Sequence, residues 1–414
     1  MSLRGKGAIV GLGATRMGRN YDHHTAMGFA IEAVQLALDD AGLKRSELDG
    51  LLVNPGLTWM DNAMASFSMQ QAMGLTDMRL TATMNLGGAS AAAMIMHAIQ
   101  SIDAGMANTV ACVFADAPLK PPAPKASGGK AAGSAAAYGF ARGLDAYYGQ
   151  FGVNAAYAFV ARRHMDKYGT TQDHLGEIAV AQRKWANLNP QAQFFAEPMT
   201  MDDYNSSRWV VEPFHLYDCC LVSNGGCAVI VTSAERAKSL KKPPVYVLGM
   251  GQGHPGGDPM DTLTSGAPLA KETAFKMAGI TLRDVKVVEL YDCYSFTVLV
   301  TLEDYGFCNK GEGGQFVLGG RTAPGGELPV NTGGGQLSSF YMWGMTPICE
   351  GIIQVRGEGG KRQVKDHDLP GFGQWWHSLD PLDAGLERSS LGLRGGIPAD
   401  SPDDAFLRLT LFKL

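Results

Sequence analysis

The strongest constraint on the fold is that the chain repeats itself. Ala41-Gly42-Leu43, followed by Leu48, Leu51 and Val53, returns as Ala278-Gly279-Ile280, Val285, Val288 and Leu290, at an offset of 237 residues. Each copy reads as a helix, an Ala-Gly stop, a short polar loop and a buried strand. In the first copy a strand at Ala8 to Val10 precedes a helix of about Thr25 to Ala41, whose Ala26, Phe29, Ala30, Ala33, Val34 and Ala37 fall at helical spacing. A second element also recurs. Thr83 to Asn85 runs into Gly87-Gly88 and an apolar helix of about Ser90 to Ala104, with a strand at Thr109 to Phe114. Leu328 to Asn331 runs into Gly333-Gly334-Gly335 and a helix of about Met345 to Arg356, with a strand near Val364. Two copies of a βαβ-type unit predict two similar layered α/β halves related by one pseudo-twofold axis.

Pro118 to Pro244 lies between the copies. It opens with a Pro/Lys/Gly/Ala-rich stretch, Lys120 to Ala136, that reads as a loop, with Lys120, Lys125 and Lys130 as candidates to meet a phosphate. Helices are predicted near Ala155 to Lys167 and His174 to Asn187. The chain thus divides into a first half at 1–117, an inserted loop domain with the end of the first half at 118–244, a second half at 245–369 and an atypical segment at 370–414. With 414 residues, 45% apolar, a large core is available. The 53 glycines, about 13% against roughly 7% in average proteins, follow no Gly-X-Y period and fit many tight turns. A net charge of −5 gives no reason to expect nucleic-acid binding. No run of 18 apolar residues occurs and the N-terminus lacks an apolar signal-peptide core, so no membrane span is expected. Seven cysteines without metal-type Cys-x-x-Cys spacing fit reduced thiols in a cytoplasm, and no metal site is expected.

The first elbow carries the chemical surprise. Strand–elbow–helix turns of this kind usually present a Cys or Ser nucleophile at the tip. Here the tip is Leu86, Gly87 and Gly88. What such a turn still offers is unpaired backbone N–H groups at the positive end of a helix, suited to holding negative charge on a substrate oxygen. Gly87 and Gly88 are therefore candidates for oxyanion or substrate contact, as are Asn331 and Gly334 at the second glycine cluster. Asn331 is a candidate for pinning the backbone as well.

Several further strings carry a resemblance. They are His164-Met165-Asp166-Lys167-Tyr168-Gly169-Thr170-Thr171 with Leu188-Asn189-Pro190-Gln191-Ala192, then Asp218-Cys219-Cys220-Leu221-Val222-Ser223-Asn224-Gly225-Gly226, Glu289-Leu290-Tyr291-Asp292-Cys293-Tyr294 and Asn331-Thr332-Gly333-Gly334-Gly335. Over residues 5 to 368 the chain resembles the thiolase superfamily, in particular the bacterial thiolase-like lipid-transfer-protein group related to the thiolase of sterol carrier protein x. The resemblance implies a five-layered αβαβα thiolase fold with two duplicated halves and an inserted loop domain. It also implies a dimer and a coenzyme A thioester substrate.

The chain departs from that pattern at each chemical position. The nucleophilic Cys maps to Gly87, give or take one, and its loss would make room for a bulky alcohol. Tyr341, in Phe340-Tyr341-Met342, stands where the family has a base His. Tyr291 replaces another His. This pattern resembles thiolase-like aldolases that cleave steroid side chains. The resemblance then implies retro-aldol cleavage of a β-hydroxyacyl-CoA to a ketone and a short acyl-CoA such as propionyl-CoA, with Tyr291 and Tyr341 as the acid–base pair. A free tyrosine has a pKa of about 10, so a basic phenol near neutral pH needs help from its surroundings. Asp292, Cys293 and His254 are secondary candidates for substrate contact. Asp292 could equally cap a turn, and a thiol such as Cys293 is no nucleophile without a lowered pKa. No cofactor is implied beyond coenzyme A as part of the substrate. The implied partner is a small DUF35-type OB-fold protein, often with a zinc ribbon, joined to a homodimer core as a heterotetramer. The alternatives are an acyl-CoA acyltransferase and a non-catalytic subunit that binds CoA esters. Past Asp368 the resemblance stops. A shifted reading frame would turn a glycine-rich loop into the string Pro370 to Pro381, which the gene sequence would reveal. Phe406 to Leu414 alternates apolar and polar residues like an edge strand.

Overall fold

The computed structural model describes residues 2–121, 152–254 and 263–365, together with the backbone of two later strands. The first half comprises β1 (Gly7–Ala14), α1 (Ala26–Ala41), β2 (Gly50–Pro55), α2 (Ala65–Met73), β3 (Leu80–Thr83), α3 (Ser90–Asp103) and β4 (Thr109–Asp116). The inserted domain contributes α4 (Val153–Tyr168), α5 (Gln172–Ala186), α6 (Met201–Ser206), β5 (Trp209–Val211) and β6 (Phe214–His215). The chain then returns through β7 (Gly225–Ser233) and α7 (Ala234–Ala237). The second half holds β8 (Val245–Gly251), α8 (Ala267–Ala278), β9 (Val287–Leu290), α9 (Ser295–Tyr305), α10 (Gly313–Val317), α11 (Met345–Val355), β10 (Pro370–Gly373) and β11 (Arg408–Phe412). Lys125, Lys130 and most of the Lys120–Ala136 stretch lie outside the described residues, as does the tryptophan-rich string beyond Gly373.

The repeat in sequence is a repeat in space. Gly11 and Gly13 on β1 face Ala33, Ala37 and Ala41 of α1 so closely that an added Cβ would meet helix carbonyls at 2.1 and 2.0 Å. Gly249 and Gly251 on β8 face Ala270, Ala274 and Ala278 of α8 in the same way, at 2.1 Å each. Such an approach of helix to strand admits only hydrogen on one side and methyl on the other. Each helix then stops at a left-handed glycine, Gly42 and Gly279 (φ 71° and 67°).

Among the described residues the main sheet has nine strands in the order β3-β2-β4-β7-β1-β8-β11-β10-β9. β1 and β8 meet antiparallel at Ala8–Tyr246 and Ile9–Val245, which joins the halves at a seam. Outward from that seam, β1, β7, β4, β2 and β3 have counterparts in β8, β11, β10, β9 and a parallel bridge at Val330 beside Val288. The sheet curls so that α3 and α11 pack together between its halves, while α1 covers β1, β7 and β4 from outside and α8 covers β8 and β11. These are the layers of the expected α/β architecture.

The last strands differ from expectation. No strand forms at Val364; the counterpart of β4 is β10. β11 is not at an edge, because it pairs with β8 on one side and β10 on the other. Alternating polarity signals a strand but cannot tell an edge from the middle. β7 runs antiparallel to both its neighbours, whereas β11 runs parallel to both of its own, so the copies part company here.

The inserted domain is tied to the second half through buried polar groups. His164, fully buried, contacts Thr170 Oγ1 at 2.8 Å and Glu303 Oε2 at 3.0 Å. Glu303 also accepts from the Gly313 N–H and pairs with Lys310. Burial pushes the Glu303 carboxyl up, but His164, Lys310 and that N–H together leave it below its ordinary value. Asp218, another buried carboxylate, accepts from Tyr204 Oη and from Ser295 Oγ at the start of α9.

Candidate active site

The two candidate phenols meet. Tyr291 follows directly on β9, Tyr341 precedes α11, and their hydroxyl oxygens are 2.9 Å apart in a hydrogen bond that either can donate. Tyr291 is buried, with 4% of its surface exposed, and Tyr341 is half-buried. The Tyr291 ring lies flat against Gly88: a Cβ on that glycine would fall 2.5 Å from Tyr291 Cζ and 2.7 and 2.8 Å from two further ring carbons. Gly88 thus sits at the mouth of the phenol pair. The space a side chain at Gly88 would need is taken by the Tyr291 ring, so this residue itself offers no vacancy for a substrate alcohol.

The first elbow is held by its own atoms. Gly87 is left-handed (φ 56°). The Leu86 N–H donates to Ser90 Oγ at 2.7 Å, and Ser90 Oγ donates back to the Gly87 carbonyl at 2.7 Å. The Gly87 N–H donates to Asn85 Oδ1 at 3.1 Å. The expectation that these N–H groups stand unpaired therefore needs correction for Leu86 and Gly87, whose donors are used inside the turn.

The second elbow is not at Gly333–Gly335. The turn that copies the first is Met342–Thr346. The Met342 N–H donates to Thr346 Oγ1 at 2.9 Å, the counterpart of Leu86 and Ser90, and Trp343 takes the left-handed role of Gly87 (φ 48°). A bulky residue in that region costs roughly 1 kcal/mol. Trp343 is offset by packing: its ring stacks on Phe114 at 5.1 Å and its carbonyl accepts from Gln336 Nε2 at 2.6 Å. Gly333–Gly335 instead opens a π-helical turn, Gly335–Ser339, inside the longer connection. Gly334 (φ 97°) packs against Ala186 of α5, where a Cβ would come within 2.6 Å, so it shapes the turn and does not face the phenols.

The remaining candidates have structural placements. Asn331 (φ 52°) accepts the Leu290 N–H on its Oδ1 at 2.6 Å, which pins the end of β9. Asp292 is fully buried and accepts the Gln336 N–H at 2.8 Å and the Leu337 N–H at 3.4 Å, capping the π-helical turn. Cys293 is buried, and burial pushes its thiol above the ordinary range, which disfavours the thiolate a nucleophile needs. His254 is exposed on the loop after β8, with Nε2 3.4 Å from Gln252 Oε1. Neither phenol lines the cavity of about 450 Å³ that is bordered by Arg16, Glu289, Asp292, Asn331, Glu350 and Arg362.

Asp292 gives a pH-dependent prediction. Burial pushes its carboxyl up to about 7 against the lowering effect of the Gln336 and Leu337 N–H groups. The folded state then holds this proton more tightly than the unfolded chain, whose Asp titrates near about 4. Its contribution is therefore most favourable below that range and declines as pH rises toward neutrality. Asp292→Asn, which keeps an acceptor oxygen for the turn, should lose less stability than wild type over that interval. Urea midpoints of both proteins at acidic and neutral pH would check this.

The duplicated halves, the paired elbows opening α3 and α11, and a phenol pair beside the first elbow describe one class: a thiolase-fold protein with no Cys or Ser at the tip of that elbow. Residues 254–372 match the family described as Thiolase C-terminal domain-like, a match that runs into β10. A steroid side-chain-cleaving aldolase of Thermomonospora curvata is 35% identical over 86% of this chain and 91% of its own length. A 17-hydroxy-3-oxo-4-pregnene-20-carboxyl-CoA lyase of Mycobacterium tuberculosis is 34% identical over 86% and 92%. Among solved structures, an Ltp2-ChsH2(DUF35) aldolase superimposes with a TM-score of 0.77 at 32% identity, over 88% of this chain and 93% of that one. The chain belongs to the thiolase superfamily, in the same family as these aldolases.

Proposed function

We propose that this chain is a carbon–carbon lyase that cleaves a β-hydroxyacyl-CoA, with a steroid side chain as its acyl group, to a ketone and a short acyl-CoA such as propionyl-CoA. The observation that carries the reading is the Tyr291–Tyr341 hydrogen bond at 2.9 Å, seated against the glycine elbow that lacks a nucleophile. As the Cα–Cβ bond breaks, the protons move as a relay: the substrate's β-hydroxyl gives its proton to one phenol, that phenol gives its own to the other, and the other gives its own to the α-carbon, so neither oxygen holds two protons. The electron pair of the broken bond is carried as enolate character on the thioester until the α-carbon is protonated, and the ketone leaves. The net change is one proton moved from oxygen to carbon, both phenols end neutral, and no second thiol is consumed. The start of α3 supplies positive potential for the enolate oxygen.

Coenzyme A enters as part of the substrate, not as a separate cofactor. The neighbouring Ltp2-ChsH2(DUF35) aldolase supports a DUF35-type partner here; the homodimer core proposed with it rests on the resemblance alone. No helix among the described residues is long and apolar enough to cross a membrane, which is compatible with the proposed cytoplasmic location.

The test is a cleavage assay on a β-hydroxyacyl-CoA, with a DUF35-type partner supplied and no free CoA. Ketone and acyl-CoA should appear in equal amounts. An absolute requirement for added CoA would overturn the reading in favour of thiolysis.

A further inference from the structure

The inserted domain reaches the phenol pair through the first turn of one helix. Asn154 and Tyr157 sit three residues apart at the start of α4, and so on one helix face. Tyr294 Oη donates to Asn154 Oδ1 at 2.5 Å. The Tyr294 ring lies between Tyr157, with centroids 4.6 Å apart, and Phe214 of β6, at 4.9 Å and nearly parallel. Tyr157 also bonds to the Cys293 thiol and neighbours Tyr291. On the same strip, the Cys220 N–H donates to the Cys293 carbonyl at 3.0 Å.

These contacts fall on one short loop. Residues 291 to 294 link β9 to α9, and Tyr291 is the first of them. The second half itself holds the Tyr291 carbonyl, through Thr297 Oγ1 at 3.1 Å, and the Asp292 carboxylate. The side chain of Tyr294 is held from the inserted domain, and that of Cys293 both from Tyr157 and from Thr297 of α9. Tyr294 is 3% exposed, and a phenol so buried keeps its hydroxyl only where a partner receives it. Asn154, by contrast, is exposed at a helix end, so it contributes little to any core.

We propose that Asn154, Tyr157 and Tyr294 are positioning residues: they clamp the 291–294 loop to the inserted domain and so hold the Tyr291 hydroxyl against Tyr341 and the elbow at Gly88. The inference rests on the reading of Tyr291 and Tyr341 as the reacting pair. It assigns the start of α4 a part in turnover, separate from any contact with substrate.

Asn154→Ala, Tyr294→Phe and their combination test it in the full complex. Misplacing a reacting group by about 1 Å can cost about a hundredfold, so a partial loosening should lower kcat about tenfold in each single variant. KM should stay within about twofold, because binding is untouched. The double variant should be no slower than the slower single one, since both remove the same bond. Asn154→Asp, which keeps an acceptor oxygen, should recover most of the rate. Replacing the exposed Asn154 opens no core cavity, so the test survives even if Tyr294→Phe fails to fold. Unchanged kcat in Asn154→Ala, a rise in KM alone, or losses that multiply in the double variant would each overturn the clamp. A wild-type complex that cleaves no β-hydroxyacyl-CoA would instead overturn the functional reading beneath it.

Discussion

Tyr341→Phe and Tyr291→Phe should each lower kcat by roughly a thousandfold, within the span usual for general acid–base groups. Phenylalanine keeps each ring, so the Tyr291 ring still packs on Gly88 and the fold is preserved. What is lost is the 2.9 Å link between hydroxyls, and with it the path by which a proton leaves the alcohol and returns at the α-carbon. Because the two act as a unit, Tyr291→Phe combined with Tyr341→Phe should cost little more than either alone. Steady-state turnover of the three variants measures this, with KM as the control for binding. Activity within about tenfold of wild type in either single variant would remove that phenol from the chemistry.

Gly88→Ala should do comparable damage through packing. Its methyl group would lie 2.5 Å from Tyr291 Cζ, far inside contact distance, and the ring is too buried to swing clear. Overpacking of this kind costs about 1–3 kcal/mol. The displaced phenol should lose register with Tyr341, with a fall in kcat of about a hundredfold. Thermal melting separates the two effects, since stability should drop modestly while activity drops severely. A variant that melts and turns over like wild type would show that the ring can be accommodated elsewhere. The same geometry predicts that Gly88→Cys would be inactive, because the ring occupies the volume that its thiol needs.

Much of the fold was legible because close packing narrows residue choice. Helices that lie against strands at Gly11, Gly13, Gly249 and Gly251 need alanines opposite, so the duplicated Ala-Gly pattern survives in sequence. The second elbow was hidden for the complementary reason. A search for glycine finds Gly333–Gly335, whereas the turn itself uses Trp343 in the left-handed region, sustained by Phe114 from a distant part of the chain and by Gln336 seven residues before it. Position within the sheet was also invisible, which is why β11 read as an edge. The phenols became candidates only through resemblance. Their direct contact could not be inferred, because it depends on how two loops fifty residues apart are placed by β9 and α11. Asp292 shows the reverse case: a carboxylate beside a reacting group looks chemical in sequence, yet its oxygens are spent on backbone N–H groups.

Gly88 belongs to one copy of the repeat and the ring that covers it to the other. Neither copy can complete this contact alone, however well it folds, and the contact joins points some two hundred residues apart along the chain. Contacts of such long range form late, after local structure has condensed. Recovery of turnover after dilution from denaturant would therefore time the docking of the copies, whereas recovery of helical signal would time their separate formation, and the interval between the two would measure how long each waits for the other.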